Sequence, residues 1–174
     1  MTDALTNAPR LTTERLVLRG PLRSDLALFT RFITTSPDLA AVDDLGSESD
    51  AWYAALAGVG HWHWHGYGFF TLQRHDDTAP LGRVGILNHH GWPQPELAWH
   101  LFEGATGQGY ATEAGRRVHD WAAAAHGLRT LVSYIDTDNA PSQAVATRLG
   151  ATNTGQRAAH DSQSEIWQHP EGTA

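Results

Sequence analysis

Cysteine and lysine are both absent from the 174 residues. Without cysteine there is no disulfide, no thiol nucleophile and no thiolate metal site. Without lysine there is no Schiff-base chemistry and no P-loop lysine; the twelve basic residues are all arginine. Long apolar runs are missing too, and nothing approaches the roughly 18 residues that a membrane span needs. The opening MTDALTNAPR has neither the basic nor the apolar region of a secretory leader. It is expected to form a disordered lead over residues 1–10, followed by one domain over 11–170. Positive charge is scarce as well. The net charge of −7 argues against a sequence-independent grip on nucleic acid, which works by neutralising phosphates. An acidic surface serves solubility and only weakly favours a cationic ligand. These absences lead us to expect a cytoplasmic chain without nucleic-acid or membrane partners.

What is present suits a folded domain: 41% hydrophobic and 18% charged residues. Leu16, Val17 and Leu18 read as a first strand. Ser24 reads as the N-cap of a helix carrying Leu26, Phe29 and Ile33, stopped by Ser36-Pro37. A second short helix is expected around Trp52, Tyr53 and Leu56, ending at Gly58. Phe69 to Arg74, Val84 to Leu87 and Glu96 to Phe102 are strand-like, with short turns between them that imply antiparallel pairing. A helix from about Tyr110 to Gly127 carries Ala111, Ala114, Val118, Trp121, Ala122 and Ala125 on one face. Leu131 to Ile135 reads as a strand. Pro141 opens another helix with Val145 and Leu149 inward and Gly150 at its end. Closing strands follow near Gly155 to Ala159 and Glu165 to Trp167. The order β-α-α-β-β-β-α-β-α-β-β describes an α+β, mixed-sheet domain and not a doubly wound one.

The most informative stretch is Gly104-Ala105-Thr106-Gly107-Gln108-Gly109, between a strand and a helix. Three glycines in six residues leave main-chain N–H groups uncovered and let a ligand come close. The helix N-terminus behind them adds unpaired donors and partial positive charge. Together these suit an anion, most naturally a pyrophosphate; the alternative is a plain strand-to-helix turn. The order G-x-x-G-x-G differs from the dinucleotide G-x-G-x-x-G, and the loop follows three antiparallel strands rather than the first strand.

Thr106 to Ala114 resembles the acetyl-CoA motif of the GNAT superfamily. Gln108-Gly109-Tyr110-Ala111-Thr112-Glu113-Ala114 is similar to the branch containing ribosomal-protein N-terminal acetyltransferases. Leu11 to Arg19 resembles the opening strand of that branch, and Pro95-Glu96-Leu97-Ala98-Trp99-His100-Leu101 its E-L/I-G-W/Y-x-L strand. Asn139-Ala140-Pro141-Ser142, with Leu149-Gly150, resembles its N-x-x-S…L-G segment. The four segments span about residues 11–167 in order. One departure is Thr106, where the family usually has Gln or Arg.

The resemblance implies a mostly antiparallel twisted sheet flanked by helices, with a bulge or splay at the acetyl-CoA site. It implies an N-acetyltransferase that moves acetyl from acetyl-CoA to a peptide N-terminus or small-molecule amine in a ternary complex. It further implies cofactor contacts from Trp99, His100, Leu101 and Phe102 of the splayed strand. Thr106, Gly107, Gln108, Gly109, Tyr110, Ala111 and Thr112 of the loop, and Asn139 and Ser142, complete the set. Acceptor amines carry pKa values of about 8 to 10.4, so a group or water must take a proton. Glu96 is the candidate base, or else a solvated carboxylate at a strand start. Ser142 is the candidate group for orienting or protonating the departing sulfur, or else a residue of the helix's first turn. Many members use a tyrosine acid, and no tyrosine lies between 135 and 174.

Arg116 and Arg117 follow the loop and either reach the adenosine phosphate or form a solvated basic face. His61, His63 and His65 alternate with Trp62 and Trp64; an extended segment would set the three imidazoles on one side. No nearby carboxylate or zinc-like spacing accompanies them, so no metal is expected. The segment instead lines the acceptor cleft or packs its two tryptophans. The expected assembly is a monomer or homodimer. Two other readings stand beside the transferase: a non-catalytic acyl-CoA-binding domain of the same fold, and a nucleotide-dependent oxidoreductase using the glycine loop.

Overall fold

The computed structural model describes residues 4–35 and 47–172. Ser36-Pro37, expected to stop the first helix, lies outside them. The described strands are β1 (Leu11–Thr12), β2 (Leu16–Arg19), β3 (Phe69–Arg74), β4 (Gly82–Leu87), β5 (Glu96–Leu101), β6 (Val132–Asp136), β7 (Thr152–Arg157) and β8 (Ser164–Gln168). The helices are α1 (Leu26–Thr35), α2 (Glu48–His65), α3 (Tyr110–His126) and α4 (Ala140–Arg148). One sheet runs β1-β2-β3-β4-β5-β6-β8-β7, antiparallel everywhere except between β5 and β6. This is the mixed, mostly antiparallel α+β architecture read from the sequence.

Alternation along the strands sorts the side chains onto two faces. Leu16, Leu18, Phe70, Leu72, Val84, Ile86 and Leu97 point to one face and form the main core with Ala114, Val118, Trp121 and Ala122 of α3. The register pairs Leu18 with Leu72, Phe70 with Val84 and Ile86 with Leu97, so the apolar positions coincide across four strands. The other face carries Phe69, Thr71, Arg83, Glu96, Ala98 and His100 and is met by α1, whose Phe29 and Ile33 pack against Ala51 of α2. Ala125 of α3, expected inward, is exposed. In α4 the fully buried residue is Ala146; Val145 is part-buried.

Three expectations are corrected. Ser24 lies inside a 3-10 turn (Arg23–Asp25), and the carboxylate that receives the turn's first N–H, from Leu22, belongs to Asp25 (2.9 Å). The second helix does not end at Gly58 but continues to Gly66, which closes it at φ 77°. Ser47 caps its start by accepting the Asp50 N–H. The burial of Trp62 holds the extra turns in place: its ring meets Phe70 and Trp121, and its Nε1–H donates to Phe69 O (2.9 Å). The 61–65 segment is therefore helical, not extended. Helical spacing brings His61 and His65 together, ring centroids 4.5 Å apart, while His63 reaches Leu5 O.

Of the N-terminal lead, residues 4–10 run beside the sheet. Leu5 N–H donates to Pro21 O, and Ala8 packs against the main core. No helix among the described residues is long and apolar enough to cross a membrane.

Candidate active site

Strands β5 and β6 touch in parallel register at one pair, Glu96 and Val132. Val132 N–H donates to Pro95 O (3.2 Å), and past this bond side chains occupy the ladder. Tyr134 N–H donates to Glu96 Oε1 (3.2 Å), and Ser133 Oγ donates to Leu97 O (2.5 Å). Ser133 is buried and also meets His169 Nε2 (2.9 Å), so the wedge is held from both sides. A main-chain group satisfied by a side chain cannot pair with the next strand, and the two strands part.

Strand parity then decides which β5 groups face the gap. Pro95 and Leu97 offer their carbonyls toward β6, whereas Phe102 N–H donates the other way, to Leu81 O (2.8 Å). Trp99 and Leu101 therefore present main-chain N–H and C=O groups to the opening. His100 and Phe102, expected with them, direct theirs to the β4 side.

Below the gap lies the glycine loop. Gly104, Gly107 and Gly109 hold φ of 81°, 76° and 79°, a left-handed backbone that favours glycine. The first intrahelical bond of α3 is Glu113 N–H to Gly109 O (3.0 Å), which leaves the N–H groups of Tyr110, Ala111 and Thr112 without helical acceptors. Thr112 Oγ1 is buried there without a hydrogen-bond partner. An anion at the helix start would satisfy such donors, so the loop fits a phosphate-bearing ligand.

A clamp missing from the sequence reading holds this loop. Glu113 Oε1 accepts from Thr13 Oγ1 (2.5 Å) and from Arg15 N–H (2.9 Å), and its Oε2 takes Arg15 Nε–H (2.6 Å). Arg15 Nη1 donates to Gln108 O (3.0 Å), and its guanidinium lies 4.8 Å from the Tyr110 ring centre. Burial pushes the Glu113 carboxyl up, but the Thr13 and Arg15 hydrogen bonds and the Arg15 charge outweigh it and hold its pKa down. Two segments that each resembled a family motif thus meet across 98 residues.

Glu96 is buried, and burial lifts its pKa to about 7 against the opposing Tyr134 N–H. Tyr134, one residue before the tyrosine-free stretch 135–174, shares the Glu96 side of the sheet. Its Oη is buried, and burial followed by the Glu96 charge raises its pKa against an opposing contact with the Gln94 main chain. Its ring packs edge-on against Trp92 (5.1 Å) and His160 (4.6 Å), and those two stack on each other at 4.2 Å. An aromatic wall thus stands beside the carboxylate, built from the β4–β5 loop, β6 and the β7–β8 connection.

Asn139 caps α4 by accepting Ser142 N–H at Oδ1 (3.0 Å). Ser142 is then a first-turn residue, part-buried, whose hydroxyl makes no hydrogen bond among the described residues. Arg116 is exposed, and its Nη2 lies 3.4 Å from Arg148 O at the end of α4. Among the described residues no group of three His, Cys, Asp or Glu could hold a metal.

The model of an acetyltransferase (GNAT) domain matches residues 15–152. An acetyltransferase from Agrobacterium tumefaciens str. C58 is similar at TM-score 0.85 and 31% identity, over 94% of this chain and 95% of that one. A ribosomal-protein-S5-alanine acetyltransferase from Vibrio fischeri shares the fold at TM-score 0.71 and 16% identity, over 94% and 97%. A ribosomal L7/L12 α-N-protein acetyltransferase, solved with coenzyme A, does so at 0.70 and 16%, over 94% and 98%. No curated protein matches this sequence.

Proposed function

The chain belongs to the GNAT acetyltransferase family, and from its site we infer that it transfers acetyl from acetyl-CoA to a primary amine, by direct attack in a ternary complex. The amine is a peptide N-terminus or a small molecule. One observation carries this reading: the β5–β6 opening joins an anion-ready loop at one end to a buried carboxylate at the other. This family membership, together with a sheet that is not doubly wound, disfavours the oxidoreductase.

Acetyl-CoA brings the activated thioester. The N–H groups of Thr106, Gly107, Gln108, Gly109, Tyr110, Ala111 and Thr112 take its pyrophosphate. Trp99 and Leu101 offer gap-facing main-chain groups to the pantetheine arm, and a preorganised N–H there polarises the thioester carbonyl. Asn139 and Ser142 line the opposite wall.

Glu96 takes the proton of the incoming ammonium, directly or through water. Its pKa of about 7 keeps enough carboxylate at neutral pH to act as base while making it a better acceptor than an ordinary glutamate. Ser142 orients the sulfur and helps return a proton to it. Tyr134 stands next to Glu96 on the acceptor side, and its hydroxyl joins the proton path.

Calorimetric titration with acetyl-CoA, with NAD as comparison, followed by thiol release over an amine panel tests the reading. The chain has no cysteine, so released coenzyme A is the only thiol in the assay. Saturable one-site binding and amine-dependent thiol are expected, with no NAD binding. Binding without release across the panel would make it the non-catalytic acyl-CoA-binding domain, and NAD binding alone would overturn both.

A further inference from the structure

A cavity of about 430 Å³ lies between α1, α2 and the face of the sheet that carries Glu96. Its lining is mainly apolar and includes Leu26, Phe29, Leu56, Val59, Phe69 and Phe102. Its volume falls in the range of small-molecule sites. One charge sits in this wall without a counterion. Arg83 is held between Phe29 and Phe69, its Cζ 4.2 Å from each ring centre, and its Nε–H donates to His100 Nδ1 (3.0 Å). Nδ1 can accept only when unprotonated, and burial together with the Arg83 charge keeps the His100 pKa well below its ordinary value. The partner of Arg83 is therefore neutral.

The other charged groups of the wall do not compensate it. Asp25 is occupied by Arg19, whose Nη1 and Nη2 reach its two oxygens at 2.7 and 2.8 Å, and by Leu22 N–H and Thr71 Oγ1. Arg23 is a second cation. Arg83 lines the cavity, and its Nη1 and Nη2 make no hydrogen bond to any described residue. A guanidinium with two adjacent free nitrogens matches the two oxygens of a carboxylate. Leaving this part-buried cation without a counterion is costly, so a ligand that supplies the anion gains more than its apolar contacts alone.

We propose that this cavity binds a small organic carboxylate with an apolar body, its two oxygens on Arg83 Nη1 and Nη2 and its body against Phe29, Leu56 and Val59. Burial brings the Arg83 pKa down only to about 9, so the cation persists at neutral pH. The site stands whether or not acetyl transfer does. The carboxylate has two sources: the far end of the acceptor amine, or a separate ligand that is not acetylated. His100 lies four residues beyond Glu96 on the same face of β5, roughly 13 Å along the strand. An acceptor anchored at Arg83 would need to span that distance.

Octanoate, octanamide and octylamine are the probes, titrated calorimetrically into the intact protein. Octanoate is expected to bind one site, with octanamide and octylamine weaker by about tenfold or more, the range for losing a charge-assisted bidentate contact. Arg83→Met should abolish the preference for the carboxylate. Should that variant fail to fold, Val59→Trp, which fills the cavity and leaves Arg83 in place, should remove octanoate binding while circular dichroism stays native. Equal binding of octanoate and octanamide, an unaffected Arg83→Met, or no saturable binding of octanoate overturns the site. Where amine acetylation is measurable, octanoate competing with the amine assigns the carboxylate to the acceptor. Octanoate binding without inhibition assigns it to a separate ligand. Either result upholds the cavity site.

Discussion

The Glu96 carboxylate accepts the main-chain N–H of Tyr134 at 3.2 Å, standing where a β5 carbonyl would stand in a closed parallel ladder. One side chain therefore ends the pairing of two strands and is itself buried at the point where they part. Burial raises its pKa to about 7, which gives a pH-dependent prediction. Glu96 acts as base only when ionised, so kcat/KM should rise with pH through an inflection near 7. Glu96→Gln should lower turnover by roughly 10²- to 10⁴-fold, the usual contribution of a positioned base, and should remove that inflection. A pH–rate profile unchanged by the substitution would take Glu96 out of the proton path.

The same group predicts a stability effect of opposite sign. The carboxyl titrates near 4.5 when unperturbed and at about 7 in the folded chain. Between those values the folded state holds more protons than the unfolded one, so stability falls as pH rises through the window and stays lower above it. The difference corresponds to about 3 kcal/mol. Glu96→Gln keeps an acceptor for Tyr134 N–H but carries no charge. It should melt higher than the native chain at pH 8, with the gap closing toward pH 4.5. Thermal melts at several pH values read this directly, and equal melting temperatures at pH 8 would mean that burial does not penalise the carboxylate.

Much of this was legible before the structure. Phe69 to Arg74, the Tyr110 helix with its Gly127 stop, and the closing strands announce themselves through alternation, helical period and glycine. Each of those signals is local. The misses share a different cause. Gly58 looked like a helix stop, yet the helix runs on because Trp62 finds Phe70 and Trp121, partners far away in sequence. The His-Trp alternation imitates a strand over five residues, too few for the period to decide against tertiary packing. The wedge of Ser133 on Leu97, and Tyr134 beside Glu96, exist only once β6 lies next to β5. The segments that resemble family motifs could be read from the sequence, but not that Arg15 and Glu113 tie two of them together.

That tie predicts a cofactor effect without an acceptor effect. Glu113 is the hub for Thr13 and Arg15, and Arg15 in turn holds the Gln108 carbonyl of the loop. Arg15 is about half exposed, so solvent screens part of the attraction, and losing the pair should cost about 1–2 kcal/mol of stability. Glu113→Gln should loosen the loop and raise the Kd for acetyl-CoA by about tenfold, while KM for the amine stays near native. Calorimetry and initial rates separate the two. A native Kd would show that the glycine loop keeps its shape unaided.

Tyr134 and Ser142 offer two hydroxyls for the return of the proton, and their surroundings predict different outcomes. Tyr134 Oη is buried and meets only the Gln94 main chain, at a geometry short of a good hydrogen bond, so removing it costs little. Tyr134→Phe should therefore stay within about 1 kcal/mol of the native stability. Ser142 is part-buried at the first turn of α4, where the capping bond runs from its main chain to Asn139 and survives loss of the hydroxyl. Ser142→Ala should fold normally too, so both variants report on chemistry alone. If Ser142 orients or protonates the sulfur, Ser142→Ala lowers kcat by about tenfold with little change in KM for the amine. If the Tyr134 hydroxyl joins Glu96 in handling the ammonium proton, Tyr134→Phe lowers kcat/KM for the amine and shifts its pH dependence, leaving acetyl-CoA binding intact. Full turnover in Ser142→Ala would move the acid role to water, and full turnover in Tyr134→Phe would leave the aromatic wall with a packing role beside Glu96.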